Sequence, residues 1–203
     1  LTPIEETMAC LAALKEEGKV RAIGISNVSI EQLDRYRVAG ELASHQCRYS
    51  MLFRAPENDV LPYCADHNVA SICYMSLEQG LLTGKVGPDR SFNAGDWRAN
   101  AEQWLPWFRR ENRQKLLDMF SGWQDLLEHH NCTIAQLVIA WTAAQPGATH
   151  ILCGLRTADQ GIEAAGAAAI LLSESDVQRI SSDLTALGNP VTEQLLSLIH
   201  ISE

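Results

Sequence analysis

The sequence predicts an α/β fold built on about four parallel strands. Three observations carry that prediction. Short apolar runs alternate with helix-patterned stretches along the 203 residues. Two of those runs, VRAIGI (20–25) and VASICYM (69–75), are nearly continuous in apolar residues, as strands covered on both faces are. Strict alternation of strand and helix in turn implies parallel pairing through right-handed crossovers. A doubly wound sheet and part of an α/β barrel both satisfy this pattern, and four strands cannot close a barrel of eight.

The elements follow in order. From Thr2 the apolar positions Ile4, Met8, Leu11 and Leu14 recur at helical spacing until Gly18, and Thr2-Pro3-Ile4-Glu5 has the form of a capping box with Pro3 at the first helical position. The strand 20–25 comes next. Ser29-Ile30-Glu31-Gln32 is a second capping box and opens a helix towards Gly40. ASHQC (43–47) is expected to be a strand from the surrounding rhythm more than from its own composition. A helix over about 57–67 ends at Asn68 and leads into the strand 69–75.

Residues 84–110 break the alternation, with Gly, Pro, Asp and Asn interleaved with Phe92, Trp97, Trp104, Trp107 and Phe108. This pattern predicts a long functional loop. One long helix is expected over about 110–130, then a capped one from Thr133 to Gln145, a strand at 149–153, and helices near 158–169 and 174–186.

Composition narrows the function. At 46% hydrophobic the chain can bury a sizeable core, and a net charge of -9 with pI near 5.1 argues against a nucleic-acid or anionic-membrane surface. The six cysteines show no CxxC, which favours buried free thiols over disulfides. No run approaches the roughly 18 apolar residues of a membrane span and no charged leader precedes an apolar core, so a soluble cytoplasmic protein is expected. His129 and His130 adjoin each other without the spacing of a zinc site, and are expected to be surface histidines with no metal.

In α/β folds ligands collect beyond the carboxyl ends of strands. Four groups stand there: Gly24, Ser26 and Asn27; Gln46, Arg48 and Tyr49; YMSLEQGLLTGK (74–85); and GLRTADQ (154–160). The third combines an aromatic ring (Tyr74), a hydroxyl (Ser76), flexible backbone (Gly80, Gly84) and Lys85, a mixture suited to a planar ring joined to phosphates. The fourth sets Arg156 just before a helix start, where a guanidinium and helix-terminal N–H groups together bind phosphate. Neither a P-loop nor a GxGxxG fingerprint is present.

TPIEETM, GKVRAIGISN, YSMLFR followed by VLPYC, YMSLEQGLLTGK and QPGATHILCGLRTADQ, in this order, resemble segments of the aldo-keto reductases, especially the bacterial general-stress and inositol-operon type. The resemblance implies the C-terminal half of a (β/α)8 TIM barrel over residues 1–194, with 195–203 a non-native tail. It also implies an NADP(H)-dependent reductase of aldehydes and ketones.

By the same resemblance, Ser26, Asn27 and Gln46 match the groups that bond the nicotinamide carboxamide, and Tyr74 matches the ring stacked on nicotinamide. Ser76, Leu77, Gln79, Gly80 and Leu82 match the loop over the pyrophosphate. Gly154, Arg156, Thr157, Gln160 and Glu163 match the segment gripping the adenosine end, with Arg156 at the 2′-phosphate. Met75, Glu78, Gly161 and Ala164 depart from the family's usual residues. The family's catalytic Asp, Tyr, Lys and His match nothing in this chain and are expected upstream of residue 1, which leaves the chain alone inactive. A non-catalytic NADP-binding subunit of the same fold is the alternative.

Overall fold

A computed structural model of the chain describes residues 2–192; the segment 195–203, expected to be a non-native tail, lies outside the described residues. The chain divides into two units. The first is Leu1–Ser76 with Thr142–Gly154, and the second is Leu77–Trp141 with Leu155–Glu203.

The first unit holds the sheet. Helix α1 (Ile4–Glu16) leads to β1 (Gly24–Ser26), α2 (Ile30–Ala39), β2 (Ser44–Arg48), a short 3-10 turn (Ala55–Asn58), α3 (Val60–Asp66) and β3 (Ala70–Tyr74). Much later in the chain, β4 (His150–Ile151) completes it. All four strands are parallel in the order β1-β2-β3-β4, with Ser26 beside Gln46 and Arg48 beside Tyr74. This is the expected α/β arrangement, and the sheet is not closed into a barrel.

Two sequence expectations for this unit need correction. The first strand starts at Gly24 rather than at Val20, because the pairing begins only where Ala43 N–H donates to the Ile23 carbonyl at 2.9 Å. A Cβ on Gly24 would lie 2.4 Å from Ser44 Oγ, so glycine is what lets β1 approach β2. The box at α1 is also absent. Pro3 itself occupies the N-cap with an extended backbone, no side chain caps the helix, and Glu5 instead pairs with Arg35 at 2.9 Å. The box on α2 is present in full: Gln32 N–H donates to Ser29 Oγ at 3.2 Å and Ser29 N–H to Gln32 Oε1 at 3.0 Å.

Leu33, Leu42, Cys64 and Val69 form a buried cluster beside the sheet, flanked by Ile25, Val28, Ile30, Tyr36, Val60 and Tyr63. Along β2 and β3, His45, Cys47, Ser71 and Cys73 are buried while Ser44, Gln46, Arg48, Ala70, Ile72 and Tyr74 are only half-buried. One sheet face is thus dry, and the other retains access to solvent.

The second unit is helical: α4 (Arg110–Ser121), α5 (Gln124–His130), α6 (Ile134–Ala143, whose last residues pass into the first unit), α7 (Ala158–Gly166) and α8 (Glu174–Leu187). The single long helix expected over 110–130 is broken at Gly122. Trp123, fully buried, donates from Nε1 to Asp183 Oδ2 on α8 at 2.8 Å, and anchoring that indole takes priority over continuing the helix. The Thr133 cap on α6 is formed, with Gln136 N–H on Thr133 Oγ1 at 3.3 Å and Thr133 N–H on Gln136 Oε1 at 3.0 Å.

His130 is no free surface histidine: it sits 3.2 Å from Asp176 Oδ2, with a side chain 11% exposed. All six cysteines are unpaired, but only Cys47, Cys64 and Cys73 are buried, while Cys10 is exposed. Among the described residues no helix is long and apolar enough to cross a membrane.

Candidate functional site

In the first unit, the carboxyl ends of β1, β2 and β3 bring four of the expected residues together. The main-chain carbonyl of Gln46 accepts twice, from Ser26 Oγ at 3.1 Å and from Asn27 N–H at 3.1 Å. Asn27 is left-handed, with φ 55°, a conformation asparagine tolerates better than most residues. Tyr74 Oη donates to Asn27 Oδ1 at 2.9 Å, joining the ends of β1 and β3. The Asn27 amide nitrogen and the half-buried Gln46 side-chain amide have no partner among the described residues, so donors and an acceptor stand ready for a polar ligand.

Ser76 belongs to this unit but points elsewhere. It is buried, and its Oγ donates to the Leu152 carbonyl at 2.7 Å and contacts Cys153 Sγ at 3.7 Å. Its hydroxyl therefore fastens the chain after β3 to the chain after β4. Gly154 is exposed, with open space where a Cβ would stand.

The turn after β3 carries the strongest backbone signal in the molecule. Met75, Glu78 and Gln79 have φ of 59°, 42° and 57°, and Gly80 follows at 102°. Non-glycine residues held left-handed cost on the order of 1–3 kcal/mol each and cluster at ligand-binding turns. Two of them, Met75 and Glu78, are among the four positions where the sequence departs from the resemblance. In the second unit, Leu77 is half-buried, while Leu82 is fully buried and donates its N–H to the Leu77 carbonyl at 3.2 Å.

Also in the second unit, Thr157 caps α7, accepting from Gln160 N–H at 3.3 Å, while Gln160 Oε1 accepts from Arg156 N–H at 2.8 Å. The Thr157 hydroxyl and the Gln160 side-chain amide thus hold the approach to α7 and leave the Arg156 side chain 67% exposed. Glu163 is already engaged: Oε1 accepts from Thr133 Oγ1 at 2.8 Å, and Oε2 lies 3.4 Å from Lys85 Nζ.

Two residues that sequence reasoning did not single out complete this region. Asp96 and Arg98, in the segment 84–110, form a forked ion pair, with Nε to Oδ1 at 2.9 Å and Nη2 to Oδ2 at 2.5 Å. Arg98 Nη1 also donates to the Gln79 carbonyl at 3.0 Å, and Asp96 Oδ2 stands 3.5 Å from Arg156. One carboxylate therefore connects the insertion to both the strained turn and the phosphate-binding candidate. The Arg98 fork holds the Asp96 carboxyl far below the usual carboxylate range against the opposing effect of its burial. The only sequence signal was Asp-Trp-Arg itself, an Asx-type turn in which Arg98 N–H donates to Asp96 Oδ1 at 3.1 Å. Trp97 and Trp104 are 47% and 56% exposed. No group of three or more His, Cys, Asp or Glu is placed to hold a metal among the described residues.

The profile of the Aldo/keto reductase family matches residues 1–184. The chain is 43% identical over 175 residues to the NADH-specific methylglyoxal reductase of Escherichia coli, covering 86% of this chain and 52% of that protein. It is 31% identical over 182 residues to an aldo-keto reductase of Schizosaccharomyces pombe named for NADP(+), covering 88% of this chain and 52% of the relative. The glycerol dehydrogenase structure from Gluconobacter oxydans superposes with a TM-score of 0.83 at 30% identity, over 95% of this chain and 57% of that one. The chain spans about half the length of the curated relatives it matches.

Proposed function

Because this chain belongs to the aldo/keto reductase family, we propose that it carries the nicotinamide-cofactor half of a carbonyl reductase. The observation that carries the proposal is the polar set at the ends of β1, β2 and β3, followed at once by a turn of left-handed residues. Side-chain amides suit a carboxamide, a half-buried tyrosine suits a flat ring, and successive strained turn residues present the N–H groups that cradle phosphate. When bound, the reduced nicotinamide supplies the hydride that turns an aldehyde or ketone into an alcohol.

The residues of this chain would bind and orient. Asn27 and Gln46 hold the carboxamide through the nitrogen and amide left open in the first unit, and Ser26 keeps that corner fixed through the Gln46 carbonyl. Tyr74, tethered to Asn27, offers its ring to the nicotinamide. Gln79 and Gly80 cover the pyrophosphate, and Ser76, Leu77 and Leu82 hold that cover in place, the Leu77 carbonyl accepting from the Gly80 and Leu82 N–H groups. Arg156, beside Gly154 and held by Thr157 and Gln160, receives the 2′-phosphate and makes NADP(H) the preferred cofactor, with Glu163 supporting the same segment. The relatives named for NADH and for NADP(+) frame that choice.

By the resemblance, the proton donor and its partners match nothing in this chain, so on this reading the chain alone binds cofactor without reducing carbonyls. Cofactor fluorescence tests both statements. NADPH should bind more tightly than NADH, and Arg156→Gln should weaken NADPH about tenfold or more while leaving NADH nearly unchanged. Equal loss of both cofactors would remove Arg156 from the 2′-phosphate, and carbonyl turnover by the chain alone would overturn the division of labour.

A further inference from the structure

Segment 84–110 and α4 enclose a cavity of about 140 Å³ within the second unit. It is separate from the groups assigned above except for Arg98, which forms part of its wall. Arg113, on α4, is 8% exposed and lines the cavity. Its Nη1 donates to two neutral carbonyls, Gly87 at 3.1 Å and Arg90 at 2.9 Å. Its Nε is buried and meets no acceptor, and no carboxylate pairs with this guanidinium among the described residues. A buried cation without a counter-charge is costly, and two carbonyls on one nitrogen satisfy its hydrogen bonding only in part.

The rest of the wall has the matching character. Arg90 is exposed at the rim, with no carboxylate on its side chain among the described residues, and Arg98 sits 4.5 Å over the Phe92 ring. Three guanidinium groups thus meet two carboxylates, Asp96 on Arg98 and the exposed Glu102, which has no ion-pair partner among the described residues, so the wall carries excess positive charge. Phe92 and Phe108, with ring centroids 6.2 Å apart, form an apolar wall. The space admits a ligand of about six heavy atoms, since a cavity of about this volume takes up one benzene.

We propose that this cavity is a binding site for a small organic carboxylate, whose anionic end neutralises Arg113 and Arg90 and whose short apolar body lies against Phe92 and Phe108. The guanidinium fork matches a carboxylate in plane and charge. The phenyl wall favours a carbon chain over a fully hydrated ion.

The test uses the full 203-residue chain and butyrate as probe. Trp97, whose ring lies 6.0 Å from that of Phe108, reports occupancy by fluorescence. Butyrate should give a saturable change that sodium chloride at equal ionic strength does not. Arg90→Gln should raise the half-saturating concentration about tenfold, and Arg113→Met should abolish the response. Arg113→Met also removes the bonds to Gly87 and Arg90, so Arg90→Gln, which leaves them in place, keeps the test decisive if the first variant does not fold. A response to chloride equal to that of butyrate, an Arg90→Gln protein that titrates like wild type, or saturation by inorganic phosphate alone would each overturn the carboxylate assignment. Loss of the butyrate response at saturating NADPH would overturn the independence of the cavity from the cofactor site.

Discussion

Asp96 shows how much a single side chain can hold in place. Its carboxylate takes the Arg98 fork, approaches Arg156 and, through Arg98, reaches the Gln79 carbonyl. Arg98 depresses its folded-state pKa, so its contribution to stability is complete above the unfolded value and is lost as pH falls through the folded one. Asp96→Asn should therefore be less stable than wild type at neutral pH, and the gap in denaturation midpoint should close below about pH 4, where the unfolded carboxylate becomes protonated. A gap that stays constant into strong acid would mean the pair does not act through charge. Gly147 makes a second residue-scale prediction. It has φ 83°, and a Cβ there would lie 2.5 Å from the Leu61 carbonyl oxygen. Gly147→Ala should cost about 2 kcal/mol or more, read from urea midpoints. Thiol labelling of the native chain should modify the exposed Cys10 first and leave Cys47, Cys64 and Cys73 until unfolding.

At the scale of elements, two similar tetrapeptides behave differently. Ser29→Ala removes a formed capping box and should cost about 1 kcal/mol in denaturant unfolding, whereas Thr2→Ala removes no cap bond and should change stability by only a few tenths. The spacing alone could not separate them. Pro3 takes the N-cap and the helix starts at Ile4, one residue further along than the box requires, and Glu5 finds Arg35 on α2, a partner 30 residues away that no local pattern contains. The same limit explains the divided helix at Gly122, since the pull on Trp123 comes from Asp183 in α8. Strands were more legible. Apolar density located β3, and alternation with helices located β2, whose composition is weak. The start of β1, by contrast, depended on where β2 lay alongside it.

For the whole molecule, the legible part of the candidate site was the part built on strand ends. Ser26, Asn27, Gln46 and Tyr74 follow from reading outward along parallel strands, and the structure joins them through the Gln46 carbonyl and the Tyr74 hydroxyl. The contribution of Asp96 and Arg98 was not legible, because an irregular segment has no periodicity from which to infer its neighbours. The sheet itself carries a further prediction. Among the described residues β1 and β4 each pair on one side only, and such unpaired edges template association with other chains. Light scattering after size-exclusion chromatography should show mass rising with protein concentration, and a monodisperse monomer at all concentrations would show the edges to be protected.

The Gln46 carbonyl that fixes Ser26 and Asn27 belongs to the main chain, so no substitution at position 46 deletes it. The side chain at that position is therefore free to change its chemistry without releasing the two neighbours from their posture. Placement and ligand preference are thus separable at this corner. If the proposed cofactor contact holds, replacing the Gln46 amide should alter what is recognised and leave intact the frame that presents Asn27 and Tyr74.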